Sequence, residues 1–298
     1  MMAHRAHGRQ RAAPLAWTAA ALAAAHVPAA VALLPALAVL RGPVGMALAL
    51  LALGLAAAPS VRRPAGRMLS PRSAHSLALG SAFVLYASVG LWYATRLRVS
   101  GDEPHYLLMA QSLWREGDLD LRDNYAREDW REDTPGPIVP HYGAPRADGR
   151  PFPAHSPGLA WLLAPFYAAG GRLACVVALA ALAAGVAALA RVLALRAGAT
   201  PEASWLAWAA ALGPPVFFYA FHVYTEAASA LALFGGLALM GTGGWAAAGA
   251  AGLALGLLPW LHVKMIAAAG AGGAVALARL RGRALLAFAV TSALTAAA

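Results

Sequence analysis

The chain has 298 residues and a formal net charge of +10, with 60% hydrophobic and only 12% charged residues. Soluble globular domains carry about 25% charged residues, so this composition and a mean hydropathy of +0.60 argue for a membrane protein. The positive charge lies in short arginine clusters between apolar runs, with no basic stripe interleaved with aromatics, which argues against nucleic acid as a partner.

In chain order, Arg5, Arg9 and Arg11 precede an apolar run over 15–40. A signal-peptide core spans about 7–15 residues, so this run predicts a retained helix. Gln10 between Arg9 and Arg11 removes a twin-arginine signal. Further apolar segments are expected at 43–60, 73–95, 172–195, 204–221, 225–241, 246–262, 264–278 and 284–298, giving an all-α bundle of about nine spans. Several are rich in Ala and Gly, and the Gly252/Gly256 spacing predicts close helix packing. The single cysteine, Cys175, lies in an apolar run, which excludes a disulfide framework and a Cys-based zinc site.

Cytoplasmic loops carry excess Lys and Arg. Placing Arg5, Arg9 and Arg11 in the cytoplasm returns Arg62, Arg63, Arg67 and Arg72 to that side after two crossings. The helix at 73–95 then delivers 96–155 to the outside, and Arg191, Arg196, Arg279, Arg281 and Arg283 all fall inside. The expected location is the inner (plasma) membrane. The external loop holds 11 of the 13 Asp and Glu residues, against eight Arg. Its aromatics, among them Tyr106, Trp114, Tyr125, Trp130 and Tyr142, argue for an ordered unit.

Four constellations offer chemistry. In Gly101-Asp102-Glu103-Pro104-His105-Tyr106, Asp102 has the place of an N-cap and Glu103 that of a first-turn acid. Apolar Tyr106, Met109, Ala110 and Leu113 predict one face of an amphipathic helix on the membrane surface. A capping carboxylate is also held in a fixed position, as a general base must be. Pro151 to Gly158 leads through His155 into a second interfacial helix, and His155 is either a surface residue or a phosphate ligand. Glu226, in Tyr224-Thr225-Glu226, is either a first-turn acid behind a Thr225 cap or a functional acid at the membrane. His262 and Lys264 follow Pro259-Trp260-Leu261. Lys264 either snorkels to the interface or neutralises a phosphate.

Asp118-Leu119-Asp120 resembles a metal-binding DxD, but three matching residues carry little weight. No EF-hand is formed by Asp118, Asp120, Asp123 and Asp129, because Arg122 occupies a ligand position. Histidines 105, 141, 155, 222 and 262 are scattered in sequence, and no zinc site is assigned to them. No glycine-rich phosphate loop or serine-nucleophile motif is present.

The stretch GDEPHYLLMAQSLWREGDLDLRDNY, then HSPGLAWLLAPFYAAGG, with YTE as a weaker match, resembles the GT-C superfamily. The likeness is greatest to glycosyltransferase family 39, which includes polyprenyl-phosphate-mannose protein mannosyltransferases and lipid A aminoarabinose transferases. It spans roughly 73–280, within an expected membrane core at 73–298 whose external catalytic loop is 96–171. Residues 1–72 then form two additional helices and a basic loop. The resemblance implies sugar transfer, with inversion, from a polyprenyl-phosphate donor to a lipid, glycan or protein hydroxyl outside the membrane. Asp102 would be the base, with Glu103 supporting it or binding acceptor or metal. His155 and Lys264 would meet the donor phosphate, and Tyr106, Glu226 and His262 are further site candidates. The resemblance implies no definite cofactor and leaves a divalent cation as an open alternative. His155 stands where relatives have Lys, and relatives continue beyond the position of Ala298, so the family's C-terminal part is expected to be absent. The alternatives are a non-catalytic GT-C-like protein that binds a polyprenyl lipid or a partner, and a transporter.

Overall fold

A computed structural model describes residues 28–33, 70–143, 145 and 151–297. The chain divides into two units, Met1–Ser70 and Pro71–Ala298. Of the first, the six-residue helix α1 (Pro28–Leu33) and Ser70 are described. The rest of the expected spans at 15–40 and 43–60, with Arg5, Arg9, Arg11, Arg62, Arg63 and Arg67, lie outside the described residues.

The second unit is helical throughout, with one isolated β-bridge between Tyr142 and Pro153 among the described residues. Its first helix, α2 (Pro71–Arg96), buries Ala74, Ala78, Ala82, Tyr86 and Gly90. That spacing of four makes a narrow stripe of mostly small residues, along which another helix can approach closely. The partner is α5 (Gly158–Arg196), which meets the stripe through Val176, Ala180, Ala183, Ala184 and Ala187. At Gly90 a β-carbon would stand 2.8 Å from both Phe221 and Val176, so only glycine fits this approach.

Helices α2 and α5 are long and apolar enough to cross a membrane. Only 28% of the most apolar stretch of α2 is buried, unlike the core helix of a soluble protein, and Leu77, Val84 and Trp92 are exposed on it. Contiguous exposed apolar surface of this kind suits lipid. Between α2 and α5 lie α3 (Glu103–Arg115) and the short α4 (Arg122–Arg127).

The remaining helices are α6 (Pro201–Ala211), α7 (Val216–Tyr219), α8 (Glu226–Met240), α9 (Trp245–Gly256), α10 (Leu258–Leu261), α11 (Ile266–Arg279) and α12 (Gly282–Ala297). They follow the expected apolar segments, and each is shorter than a full membrane crossing. The 15 residues of α8 extend about 22 Å at 1.5 Å per residue, against a hydrocarbon core of about 30 Å. The segment expected at 204–221 is divided between α6 and α7 around Pro214 and Pro215. That at 246–262 is divided at Leu257. Gly252 and Gly256 do face a neighbouring helix: a β-carbon on either would strike the α12 backbone, at Phe288 and Ser292 respectively. Cys175 is a buried free thiol.

One expectation for the loop changes. Helix α3 does not present one apolar face to a membrane surface, because Pro104, Tyr106 to Ala110, Gln111 and Ser112 are all buried. The loop covers it on one side and α5 on the other, with Leu159, Leu163, Tyr125 and Trp130 in the same core. The helix expected to follow His155 is the first part of α5. Gly170 and Gly171 leave helical geometry there, Gly171 with φ 57°, and separate it from the apolar stretch beginning near residue 172.

Candidate functional site

The site forms where the N-terminal end of α3, the segment before α5, and the turns before α8 and α11 converge. Asp102 occupies the N-cap position of α3 with helical backbone angles, and its side chain makes no capping hydrogen bond. The capping role expected for this carboxylate is therefore overturned. The group is left half-exposed, 3.9 Å from His155 Nε2.

Glu103, by contrast, is fully buried. Its Oε2 accepts from the Ser100 amide at 3.1 Å and its Oε1 from the Val223 amide at 2.9 Å. A carboxylate whose two oxygens each hold a backbone amide is a clamp. It joins the turn before α3 to the turn before α8 and so positions Asp102 relative to Glu226. Glu103 is therefore a positioning residue, without a free oxygen to offer acceptor or metal through these two contacts.

The Tyr224 hydroxyl reinforces this joint, accepting from the Asp102 amide and donating to the Ser100 carbonyl, both at 3.4 Å. Gly101 has φ +60°, and a β-carbon there would collide with that hydroxyl. Glycine is required on both counts.

A cleft of about 600 Å³ opens beside Asp102. Tyr106, Tyr224, Glu226, His262 and Lys264 share its lining with Asp102. The Lys264 ammonium donates to Glu226 Oε1 at 3.1 Å, while Glu226 Oε2 is buried without a hydrogen-bond partner. Thr225 is buried and makes no side-chain cap, so Glu226 is a first-turn acid without the expected Thr225 cap. His262 Nδ1 accepts from the Lys264 amide at 3.2 Å and shapes the turn that presents the lysine. At Gly158 a β-carbon would meet the Trp260 carbonyl oxygen at 2.5 Å, so the start of α5 rests directly on α10.

Behind Asp102 the structure gathers histidines that sequence spacing leaves apart. The Gly143 amide donates to the Phe152 carbonyl at 2.7 Å and the Ala154 amide to the His141 carbonyl at 3.1 Å. This pinch sets His141 beside His155, with ring centroids 4.9 Å apart. The Tyr125 hydroxyl accepts from the His141 amide at 3.3 Å and bonds His105 Nδ1 at 2.7 Å. Tyr106 packs on the His155 ring at 4.8 Å.

Burial pushes the His105 pKa down to about 4, assisted by His155 and His141, so its ring is neutral at neutral pH. Burial also lowers the pKa of His155, with Asp102 opposing the shift. The Tyr106 hydroxyl is pushed up by burial and then by Asp102, and stays protonated.

Among the other described acids of the loop, most pair with arginines, and Asp133 accepts from the Tyr167 hydroxyl at 2.9 Å. Arg127 bonds Glu116, Asp123 and Asp129, Arg115 bonds Glu132, and Arg131 bonds Glu128. Asp120 pairs with Arg122, and Asp118 Oδ1 accepts from the Asp120 amide at 3.0 Å. The Asp118-x-Asp120 motif is thus a turn with an ion pair. Tyr224 and His141 are the site residues that sequence reasoning left without a role. The position of Tyr224 beside Glu226 was a usable signal, whereas nothing local marks His141.

Comparison with protein-family models, curated proteins and solved structures finds no match to the chain.

Proposed function

We propose that the chain is a membrane glycosyltransferase of the GT-C type that moves a sugar from a polyprenyl-phosphate donor to an acceptor hydroxyl on the outer side of the membrane. In this reading the apolar segments of the chain make about nine membrane spans. The N-terminus is then cytoplasmic and the loop at 96–155 external. The observation that carries the proposal is that an uncapped carboxylate, Asp102, and the chain's single lysine, Lys264, line the same cleft.

The chemistry needs both. The acceptor hydroxyl gives its proton to Asp102 as its oxygen bonds the anomeric carbon of the donor sugar. The bond from that carbon to the phosphate oxygen breaks, and polyprenyl phosphate leaves with the bonding electrons. Negative charge grows on the leaving phosphate, where a fixed cation stabilises it. Lys264 is half-exposed in its pair with Glu226. Its exposed ammonium has further donors with which to meet a phosphate while it keeps its contact with Glu226. His155, beside Asp102, is neutral and suits a polar contact better than charge neutralisation.

A non-catalytic lipid-binding protein would have no need of a half-exposed carboxylate that makes no capping hydrogen bond. A transporter would place ionisable groups along a path through the bundle, whereas these residues gather at helix ends.

The test uses membranes containing the full chain, a labelled polyprenyl-phosphate sugar pool, and Asp102→Asn at matched expression. Transfer by the wild type that is lost in the variant supports the reading. Full transfer in a folded Asp102→Asn protein, or none in the wild type, refutes it.

A further inference from the structure

We infer that Asp102, His141 and His155 form a binding site for one divalent transition-metal ion, zinc being the best chemical fit. Each residue offers one ligand atom, and these atoms lie within 4.8 Å of one another.

Two observations on the structure support an ion in preference to a hydrogen-bonded cluster. His155 Nε2 is buried and has no hydrogen-bond partner, which is costly for a polar atom unless something else meets it. Its separation from Asp102 Oδ1, 3.9 Å, is too long for a hydrogen bond. Bonds of about 2.0–2.1 Å to a tetrahedral zinc place neighbouring ligand atoms about 3.3 Å apart. The observed gap is therefore within a small rotamer adjustment of a shared ion.

The ligand type selects the metal. Two imidazoles and one carboxylate suit zinc and its first-row neighbours, while magnesium and calcium prefer oxygen-only sets. The surroundings are built to hold the ligands. Tyr106 packs on His155, the Ala154–His141 hydrogen bond fixes the two histidine backbones, and Tyr125 secures His141 through its amide. His141 is exposed, which gives an ion a route in. Three protein ligands leave a coordination position open, as in catalytic rather than structural zinc sites.

What the ion would do rests on the glycosyltransferase reading. It would fix one Asp102 oxygen, leave the other for the acceptor proton, and lower the pKa of a hydroxyl in the open position. Whether the ion binds does not depend on that reading.

The experiment is a Co2+ titration of the detergent-purified full chain, followed by visible absorption, without donor or acceptor. The wild type is expected to take up one equivalent with the intense bands of four- or five-coordinate cobalt, and Zn2+ should displace it. Loss of a ligand should weaken binding by at least about 100-fold, since outer-shell changes alone cost 10–100-fold. His141→Ala is the primary variant, because its side chain is exposed and its structural hydrogen bonds come from the backbone. His155→Gln is the second, and unchanged helical circular dichroism and Tm establish that both are folded. Loss of the bands in both folded variants, with retention in His222→Ala, supports the site. The spectrum of six-coordinate aqueous cobalt in the wild type, or wild-type affinity in His141→Ala, overturns it. Cobalt binding without transfer would refute the function alone, and transfer without cobalt binding would refute the metal site alone.

Discussion

On one side of the acidic loop Arg127 is bound to Glu116, Asp123 and Asp129, while on the other Asp102 stands 3.9 Å from a histidine nitrogen that no group bonds. Both sides use the same side-chain chemistry. The difference lies in what surrounds each carboxylate. Near Arg127, arginines lie within 17 residues of the acids they pair with, so the charges neutralise inside the loop and hold it together. At Asp102 the adjacent acid, Glu103, takes the structural work by clamping two amides. Asp102 is thereby held in place without being consumed. A functional carboxylate in this loop is marked by what it does not bond.

Several substitutions would break or sharpen this contrast. The largest effect is expected at Asp102, where Asn should reduce transfer by about 100- to 10,000-fold, the usual worth of a positioned base. At Glu103, Ala should remove the clamp and leave two amides without their acceptor. The expected loss is about 3 kcal/mol, from two charge-assisted hydrogen bonds, seen as a lower thermal midpoint. Transfer should fall with it even at temperatures where the protein remains folded, because Asp102 is no longer positioned. Lys264→Gln should lower kcat/KM for the lipid-phosphate donor about tenfold, the worth of one charge-assisted contact. The smallest effect belongs to Arg122→Gln. Its pair with Asp120 is exposed, so both transfer and thermal midpoint should stay at wild-type values.

Much of the helical layout is legible in the sequence. Helices observed at Pro71–Arg96, Glu226–Met240 and Gly282–Ala297 fall on the segments expected at 73–95, 225–241 and 284–298. Apolar runs there are closed by Pro, Gly and Arg, which act locally. The break around Pro214–Pro215 was also visible as residues, but its effect depends on how α6 and α7 pack. Tyr86 donates to the Ala211 carbonyl and Trp208 to the Ala78 carbonyl, at 2.7 and 2.9 Å, anchoring α6 to α2. The burial of α3 was not legible, because its periodicity describes one face and the loop supplies cover for the others.

The site divides in the same way. Asp102, Glu226 and Lys264 stand out by type and position along the chain, and they do share a cleft. The partnership of Glu103 with Val223 spans 120 residues, and no local pattern encodes it. Nor does spacing reveal that His105, His141 and His155 meet. That depends on the backbone pinch between Tyr142 and Pro153 and on Tyr125, which binds two of the three histidine segments.

The most direct test compares two matched substitutions in the same loop, Asp102→Asn and Asp123→Asn, for sugar transfer in membranes at equal expression. Each removes one carboxylate charge with the same change in shape. The account predicts that transfer is abolished by the first and retained by the second, whose carboxylate is engaged with Arg127. Equal transfer by the two variants would contradict it.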